Sequence, residues 1–236
     1  MNQWRYYVPI LAYHRVGGMR GDHVPTVSAE AFEQQMGSLA RSGLRVLPLG
    51  ELGELVKRDG AMPRRSAVIT FDDGYEETWS IAWPILKRFN LPATVFISSG
   101  EIGLPGFMSW EQVSAMANGG VTIGSHTMHH QYLPILEESR LEEELAGSKR
   151  AIEERIGMAA DWLSYPIGGY SSKIQEIAKS AGYRGACTTN RVALQGPLDR
   201  YALRRIKVTD RDAHPLLMRA KLSGYYDAFR RLEKPN

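Results

Sequence analysis

Ala67-Val68-Ile69-Thr70-Phe71-Asp72-Asp73-Gly74-Tyr75 is the stretch from which the rest of the chain can be read. Valine, isoleucine, threonine and phenylalanine suit a buried, pleated strand. Asp-Gly then marks the turn that ends it. Two carboxylates therefore stand side by side where a strand stops, the end at which α/β sheets and barrels bind ligands. Adjacent acids repel each other, and a cation relieves the pair. The stretch predicts a metal site that histidines elsewhere in the chain should complete.

Strands and helices alternate on both sides of it. Val8 to Tyr13 reads as the first strand, ending at His14-Arg15 before a glycine-rich loop, Gly17-Gly18-Met19-Arg20-Gly21. Ser28 caps a helix with Phe32, Met36, Leu39 and Ala40 on one face, closed by Gly43. Arg45 to Leu47 is a short strand and Leu49 to Lys57 a short helix. A helix from Tyr75 to Phe89 should kink at Pro84. Ala93 to Ile97 is a strand, Ser109 and Gln112 form a capping box, and Val121 to Ile123 is a strand ending at Gly124-Ser125-His126. Ser139/Glu142 and Ser172/Gln175 read as further capping boxes. The run of acids on the helix that carries Leu141, Leu145, Ile152 and Ile156 reads as a solvated face. Trp162 to Tyr165, Tyr183 to Thr188 and Leu203 to Val208 are strands, and Pro215 to Tyr226 is the last helix.

This alternation predicts a parallel sheet with helices outside it. A tally of about seven or eight candidate strands suits a barrel better than a small open sheet. The expected fold is a (β/α) barrel of seven or eight strands, seven being favoured, in one domain over residues 1–236, with the motif-bearing core at about 64–210.

Composition bounds the function. The chain has 236 residues, 43% hydrophobic and 23% charged, with a net charge of +3. That length and balance fit one domain with a sizeable core, and the charge implies no nucleic-acid partner. Arg230, Arg231 and Lys234 read as a solvated helix end. The single cysteine, Cys187, excludes an internal disulfide and reads as buried packing. No apolar run is long enough for a membrane span. The first one, Tyr6 to Tyr13, lacks a signal-peptide layout, so a cytoplasmic location is expected.

His126-Thr127-Met128-His129-His130 follows a strand end, as Asp72-Asp73 does. His126 and His130 are four apart, so one helical turn would place both imidazoles on one side. Two histidines and one carboxylate make a three-ligand site for Zn²⁺ or a similar ion, with room for water and substrate. Thr127 stands where the zinc-protease helix carries its glutamate base, so that chemistry is excluded and the base must come from elsewhere. Asp72 is the candidate base, with Asp73 on the metal.

Together these motifs resemble the polysaccharide deacetylases, the NodB-homology or carbohydrate esterase family 4 group. Thr70-Phe71-Asp72-Asp73-Gly74 and Ser125-His126-Thr127-Met128-His129-His130 are similar to its first two motifs. Leu91-Pro92-Ala93-Thr94-Val95-Phe96 is similar to the strand after the first, and Ser164-Tyr165-Pro166-Ile167-Gly168-Gly169 to the third. Pro9-Ile10-Leu11-Ala12-Tyr13-His14-Arg15-Val16 resembles the N-terminal strand of the branch holding exopolysaccharide and poly-N-acetylglucosamine deacetylases. The resemblance implies a distorted (β/α) barrel that removes N-acetyl groups from the amino sugars of a polysaccharide or oligosaccharide. It implies Asp73, His126 and His130 as metal ligands and Asp72 as general base, with Zn²⁺ the expected ion and Co²⁺ or Ni²⁺ able to replace it. His129 is read as packing or as support behind the ligands. The third motif implies a backbone N–H for the oxyanion; Pro166 has none, and Tyr165 is the candidate.

Two departures stand out. The third motif lacks the arginine that orients the base. In the last motif, Leu203-Arg204-Arg205 has arginine where the family often has the histidine that protonates the leaving amine, and arginine does not release a proton near neutral pH. His14, at the end of the first strand, is the candidate acid, or else a brace for its loop. Arg204 or Arg205 is the candidate to contact saccharide or to hold Asp72. Trp110 and Tyr170 are candidates to stack on sugar rings or to pack at the rim, and His23 and His214 read as surface residues. A hydrolase of another amide or a small cyclic imide, and a non-catalytic glycan-binding module, are the alternative readings.

Overall fold

Seven parallel strands close into a barrel, and every side chain of the site hangs from one end of it. The structure is a computed structural model and describes residues 6–17, 24–58, 61–190 and 198–226. The glycine-rich loop beyond Gly17, His23 and the basic C-terminal residues lie outside the described residues. In chain order the strands are β1 (Ile10–Tyr13), β2 (Arg15–Val16), β3 (Thr26–Val27), β4 (Arg45–Val46), β5 (Ser66–Phe71), β6 (Thr94–Ile97), β7 (Thr122–Ser125), β8 (Trp162–Ser164), β9 (Gly185–Thr188) and β10 (Leu203–Lys207). The sheet runs β1-β10-β9-β8-β7-β6-β5, and β5 pairs back to β1 with Val68 opposite Ile10, which closes it. β4 adds to the start of β5, and β2 with β3 forms a small separate pair.

Each barrel strand alternates between two apolar environments. Ile10, Val68, Phe96, Trp162, Cys187 and Leu203 pack together inside the barrel. Leu11, Tyr13, Ile69, Phe71, Val95, Ile97 and Ile123 pack outward with Phe32, Met36 and Leu39 of α1 (Ala29–Arg41). The period of two therefore fixes which residues arrive at the mouth on the inner face. Continuing Ile10-x-Ala12 gives His14; continuing Val68-x-Thr70 gives Asp72; continuing Gly124 gives His126; continuing Leu203 gives Arg205 and Lys207. α2 (Leu49–Lys57) plugs the opposite end, where Leu49 and Leu52 join the inner cluster. Gly53 lies so close to the Trp162 indole that a Cβ would stand 1.9 Å from Cη2.

Several local expectations hold and several are corrected. Ser28 accepts from the Ala31 N–H, and the Ser109/Gln112 box starts α4 (Trp110–Asn118). The irregularity expected at Pro84 comes earlier, as a wide π-type turn over Thr78–Ala82. Pro84 then falls in the first turn of α3 (Trp83–Arg88), where a missing N–H is harmless. The Ser139/Glu142 box does not form, because α5 (Glu138–Glu142) starts earlier, with Glu137, two residues before Ser139, at its N-cap position. A second wide turn, Glu143–Gly147, leads into α6 (Ser148–Ile156). Ser171, not Ser172, caps α7 (Ser172–Ser180). The last helix, α8, is Pro215–Leu222. No helix among the described residues is long and apolar enough to cross a membrane.

Candidate active site and metal centre

The inner-face residues at the strand ends converge on one cleft of about 390 Å³. His14, Asp72, Asp73, His126, His130 and Arg205 all line it, with Tyr75, Glu101, Phe107, Ile167 and Lys207 around the mouth. The turn that ends β5 is tight. The Gly74 N–H donates back to the Asp72 carbonyl at 2.9 Å while Asp73 sits at φ 73°, the three-residue γ-turn conformation. This strained turn lets two neighbouring acids, which a straight strand would point to opposite faces, serve one site. Gly74 follows at φ 89°, with Ile97 and Ile102 packed where a side chain would be.

Asp72 and Asp73 have opposite environments. Asp72 is 2% exposed, and both its oxygens accept from Arg205 at 2.6 Å, a two-pronged pair. Arg205, 1% exposed, also donates to Thr70 Oγ1 at 3.2 Å and Ser164 Oγ at 2.8 Å. Burial alone would raise the Asp72 carboxyl, but Arg205, His126 and His14 outweigh it and hold it well below the usual range. Asp73 is raised instead, first by burial and next by Asp72 beside it. Its Oδ1 is buried without a hydrogen-bond partner, 3.4 Å from His126 Nε2 and 3.5 Å from His130 Nε2.

Those separations are long for hydrogen bonds and right for shared ligands. Three atoms at about 2.0–2.2 Å around a tetrahedral ion stand about 3.4 Å apart. Asp73, His126 and His130 are also, among the described residues, a group of histidines and an acid whose donor atoms lie within 4.8 Å of one another. His126 Nδ1 bonds to the Ser164 carbonyl at 2.7 Å, so that nitrogen carries the proton and Nε2 offers its lone pair to the centre. Burial pushes this imidazole down to about 3, which keeps it neutral as a ligand must be. The donor set and the orphaned carboxylate oxygen fit a divalent cation.

The histidine loop differs from the helical turn expected of it. Thr127 (φ 67°) and His130 (φ 53°) are both left-handed, and this irregular loop brings the two rings to a centroid distance of 4.8 Å. His129 points away from the centre, and its Nδ1 pairs with Glu144 Oε1 at 2.7 Å. Glu144 belongs to the acidic run expected to be solvated, yet it is 0% exposed.

His14 stands across from the metal group, with Nε2 3.8 Å from Asp72 Oδ2. Burial pushes it down to about 4 although Asp72 pulls the other way, so it is neutral near pH 7. Two expectations are corrected. The Tyr165 N–H cannot serve the oxyanion, because it donates to the Cys187 carbonyl at 3.0 Å as part of the sheet. Its ring turns outward, stacked on Tyr170. Two residues on, Ile167 is 71% exposed at the cleft rim with φ 58°, and its N–H makes no backbone hydrogen bond among the described residues. Arg204 is likewise displaced by its neighbour: β10 turns Arg205 into the cleft, and Arg204 is absent from the lining. Tyr170 is held by Tyr165, Trp110 packs against the outer core, and His214 is exposed before α8.

A closed parallel barrel with paired acids and histidines at its C-terminal mouth defines a class. The polysaccharide deacetylase family model matches residues 59–186, and the chain belongs to that family. YxkH of Bacillus subtilis, named as a polysaccharide deacetylase, is 31% identical over 202 residues, covering 86% of this chain and 71% of the relative. Poly-beta-1,6-N-acetyl-D-glucosamine N-deacetylase of Staphylococcus aureus is 26% identical over 216 residues, covering 86% and 73%. Among solved structures, IcaB from Ammonifex degensii superposes with a TM-score of 0.78 at 26% identity, covering 93% of this chain and 98% of the other. The Streptococcus pyogenes deacetylase PplD shares the fold, with a TM-score of 0.79 at 24% identity, covering 89% and 96%.

Proposed function

We propose that this chain is a metal-dependent hydrolase that removes N-acetyl groups from the amino sugars of a polysaccharide or oligosaccharide. The observation that carries the reading is the contrast between Asp73, whose orphaned oxygen faces two imidazole nitrogens, and Asp72, kept off that centre and ionised by Arg205. A glycan-binding module needs no free base beside a cation site. The S. aureus relative, named as a poly-beta-1,6-N-acetyl-D-glucosamine N-deacetylase, supports an N-acetylated glycan as substrate.

Asp73, His126 and His130 would hold the ion, which supplies Lewis-acid polarisation of the acetyl carbonyl and acidifies a water. Zn²⁺ suits two imidazoles and one carboxylate, and Co²⁺ or Ni²⁺ would be accepted by the same set. Asp72 takes the proton as the water attacks the carbonyl carbon. Its Oδ2 lies 3.8 Å from both His14 Nε2 and His126 Nε2, at the centre of the cleft. The Ile167 N–H, in the place first assigned to Tyr165, donates to the oxyanion. His14 passes a proton to the sugar nitrogen as the carbon–nitrogen bond breaks. One proton leaves water and one reaches the amine, so the relay from Asp72 through a neutral His14 balances.

Acetate release from N-acetylglucosamine oligomers tests this reading against a panel of simple amides and cyclic imides. Release from the oligomers alone supports it, and turnover of imides alone overturns the substrate class. His14→Ala is expected to lower kcat by about 100-fold or more, with the bound ion retained. A near-normal rate would return His14 to bracing its loop.

A further inference from the structure

The loop that carries both histidine ligands is held from behind by a single buried carboxylate. Glu144 Oε2 accepts the backbone N–H groups of Met128 at 3.0 Å and His129 at 2.9 Å, and Oε1 takes the His129 ring Nδ1 at 2.7 Å. Arg140 Nη2, at 3.9 Å, is the nearest cationic group on its own helical segment. A carboxylate with no exposure is costly unless its oxygens are satisfied. Here every close donor comes from Met128 and His129, two of the three residues between the ligands. Ser148, one turn further on, adds a second tie: it donates to the Thr127 carbonyl at 2.9 Å and pairs with Ser125 Oγ at 2.8 Å. The wide turn Glu143–Gly147 contains the first anchor and leads directly to the second, and such turns recur at functional sites.

The loop needs such a tie. Thr127 and His130 are non-glycine residues in left-handed conformations, which persist only where the surroundings impose them. Left to relax, the backbone between His126 and His130 would carry the half-exposed His130 ring away from Asp73. His126 is buried and fixed by the Ser164 carbonyl, so His130 is the ligand whose place depends on the loop.

We propose that Glu144 is the positioning residue of the metal centre: by clamping the Met128 and His129 amides it presets the loop so that His130 meets Asp73 and His126 around one ion. This rests on the metal reading above. Glu144 touches neither ion nor substrate and acts through the loop.

The test is Zn²⁺ affinity, measured by chelator competition, together with the visible spectrum of the Co²⁺-loaded protein and unfolding of the chelated protein. Glu144→Leu, similar in size and without acceptors, is expected to weaken Zn²⁺ binding roughly 10- to 100-fold and to alter the Co²⁺ spectrum. Glu144→Gln keeps an oxygen for both amides, and its NH₂ can face the other tautomer of His129; it is expected to restore affinity close to wild type. His129→Ala, which spares the amides, is expected to change affinity little. A folded Glu144→Leu protein that binds Zn²⁺ as the wild type does overturns the proposal. Should that variant not fold, hydrogen exchange in the chelated wild type decides. Slow exchange at the Met128 and His129 amides supports the clamp, and exchange as fast as in an open loop overturns it. A wild type that binds no divalent ion fails the metal reading instead, and the exchange result still judges the clamp.

Discussion

Asp72→Asn is expected to lower kcat for acetate release by about 100- to 10,000-fold, the usual worth of a positioned general base, while the protein keeps its fold and its ion. The amide has nearly the carboxylate's shape, and its oxygen still accepts one Arg205 N–H. Its NH₂ faces the other prong, however, and the buried guanidinium loses its countercharge, so the folded variant should also be less stable. What it lacks is the capacity to take a proton from water. Asp73→Asn should behave differently. Asp73 Oδ1 is the oxygen facing His126 and His130, so weakening it as a ligand should release the ion before it touches the chemistry. Kinetics and metal content measured on both variants separate the roles. Normal hydrolysis by Asp72→Asn would move the base elsewhere in the cleft.

Arg205→Met is expected to damage both stability and activity. The guanidinium and Asp72 are both buried, and removing one partner leaves the other uncompensated, at a cost of about 3–5 kcal/mol. The pH dependence has a defined sign. Asp72 is held below its unperturbed value of 3.8. It therefore contributes stability that is complete above that value and is lost as pH falls through the lower folded value. Without Arg205, the main influence holding it down is gone, and burial pushes the carboxyl up. The acid limb of activity should then begin at higher pH than in the wild type, while the Asp72 contribution to stability reverses sign, the variant gaining stability as the buried carboxyl takes up its proton. Arg205→Lys should rescue only partly, since an ammonium cannot fork onto both oxygens. Urea unfolding at neutral pH and the acid limb of the pH–rate profile check this. An unshifted acid limb would show that Arg205 does not tune the base.

How much of this could be read from residue order follows from how each residue is placed. Alternation of strand and helix, together with the turn after Phe71, sufficed for the barrel. It also sufficed for the meeting of Asp73 with His126 and His130, because side chains at strand ends in a parallel barrel share one face. Arg205 was harder, since two arginines stand together. The usable signal was the strand's own period: Ile206 and Val208 face outward with Arg204, which leaves Leu203, Arg205 and Lys207 to the interior. Tyr165 failed as a donor for a reason residue order shows poorly. Its N–H belongs to the sheet, and the chain frees a donor only after Pro166, at the left-handed Ile167. Glu144 was hidden most completely. Its neighbours Glu142 and Glu143 are exposed, and only the wide turn after α5 rotates one acid of the run inward to the histidine loop.

The central claim is that Asp73, His126 and His130 share one ion on which hydrolysis depends. Equilibrium dialysis against Zn²⁺, run beside acetate release on the wild type and on Asp73→Ala and His126→Ala, tests it most directly. One ion per wild-type chain is expected, with binding and acetate release lost together in both variants, and wild-type release abolished by chelator and restored by Zn²⁺. Full acetate release after exhaustive chelation, or an ion bound as tightly when either ligand is gone, would contradict it.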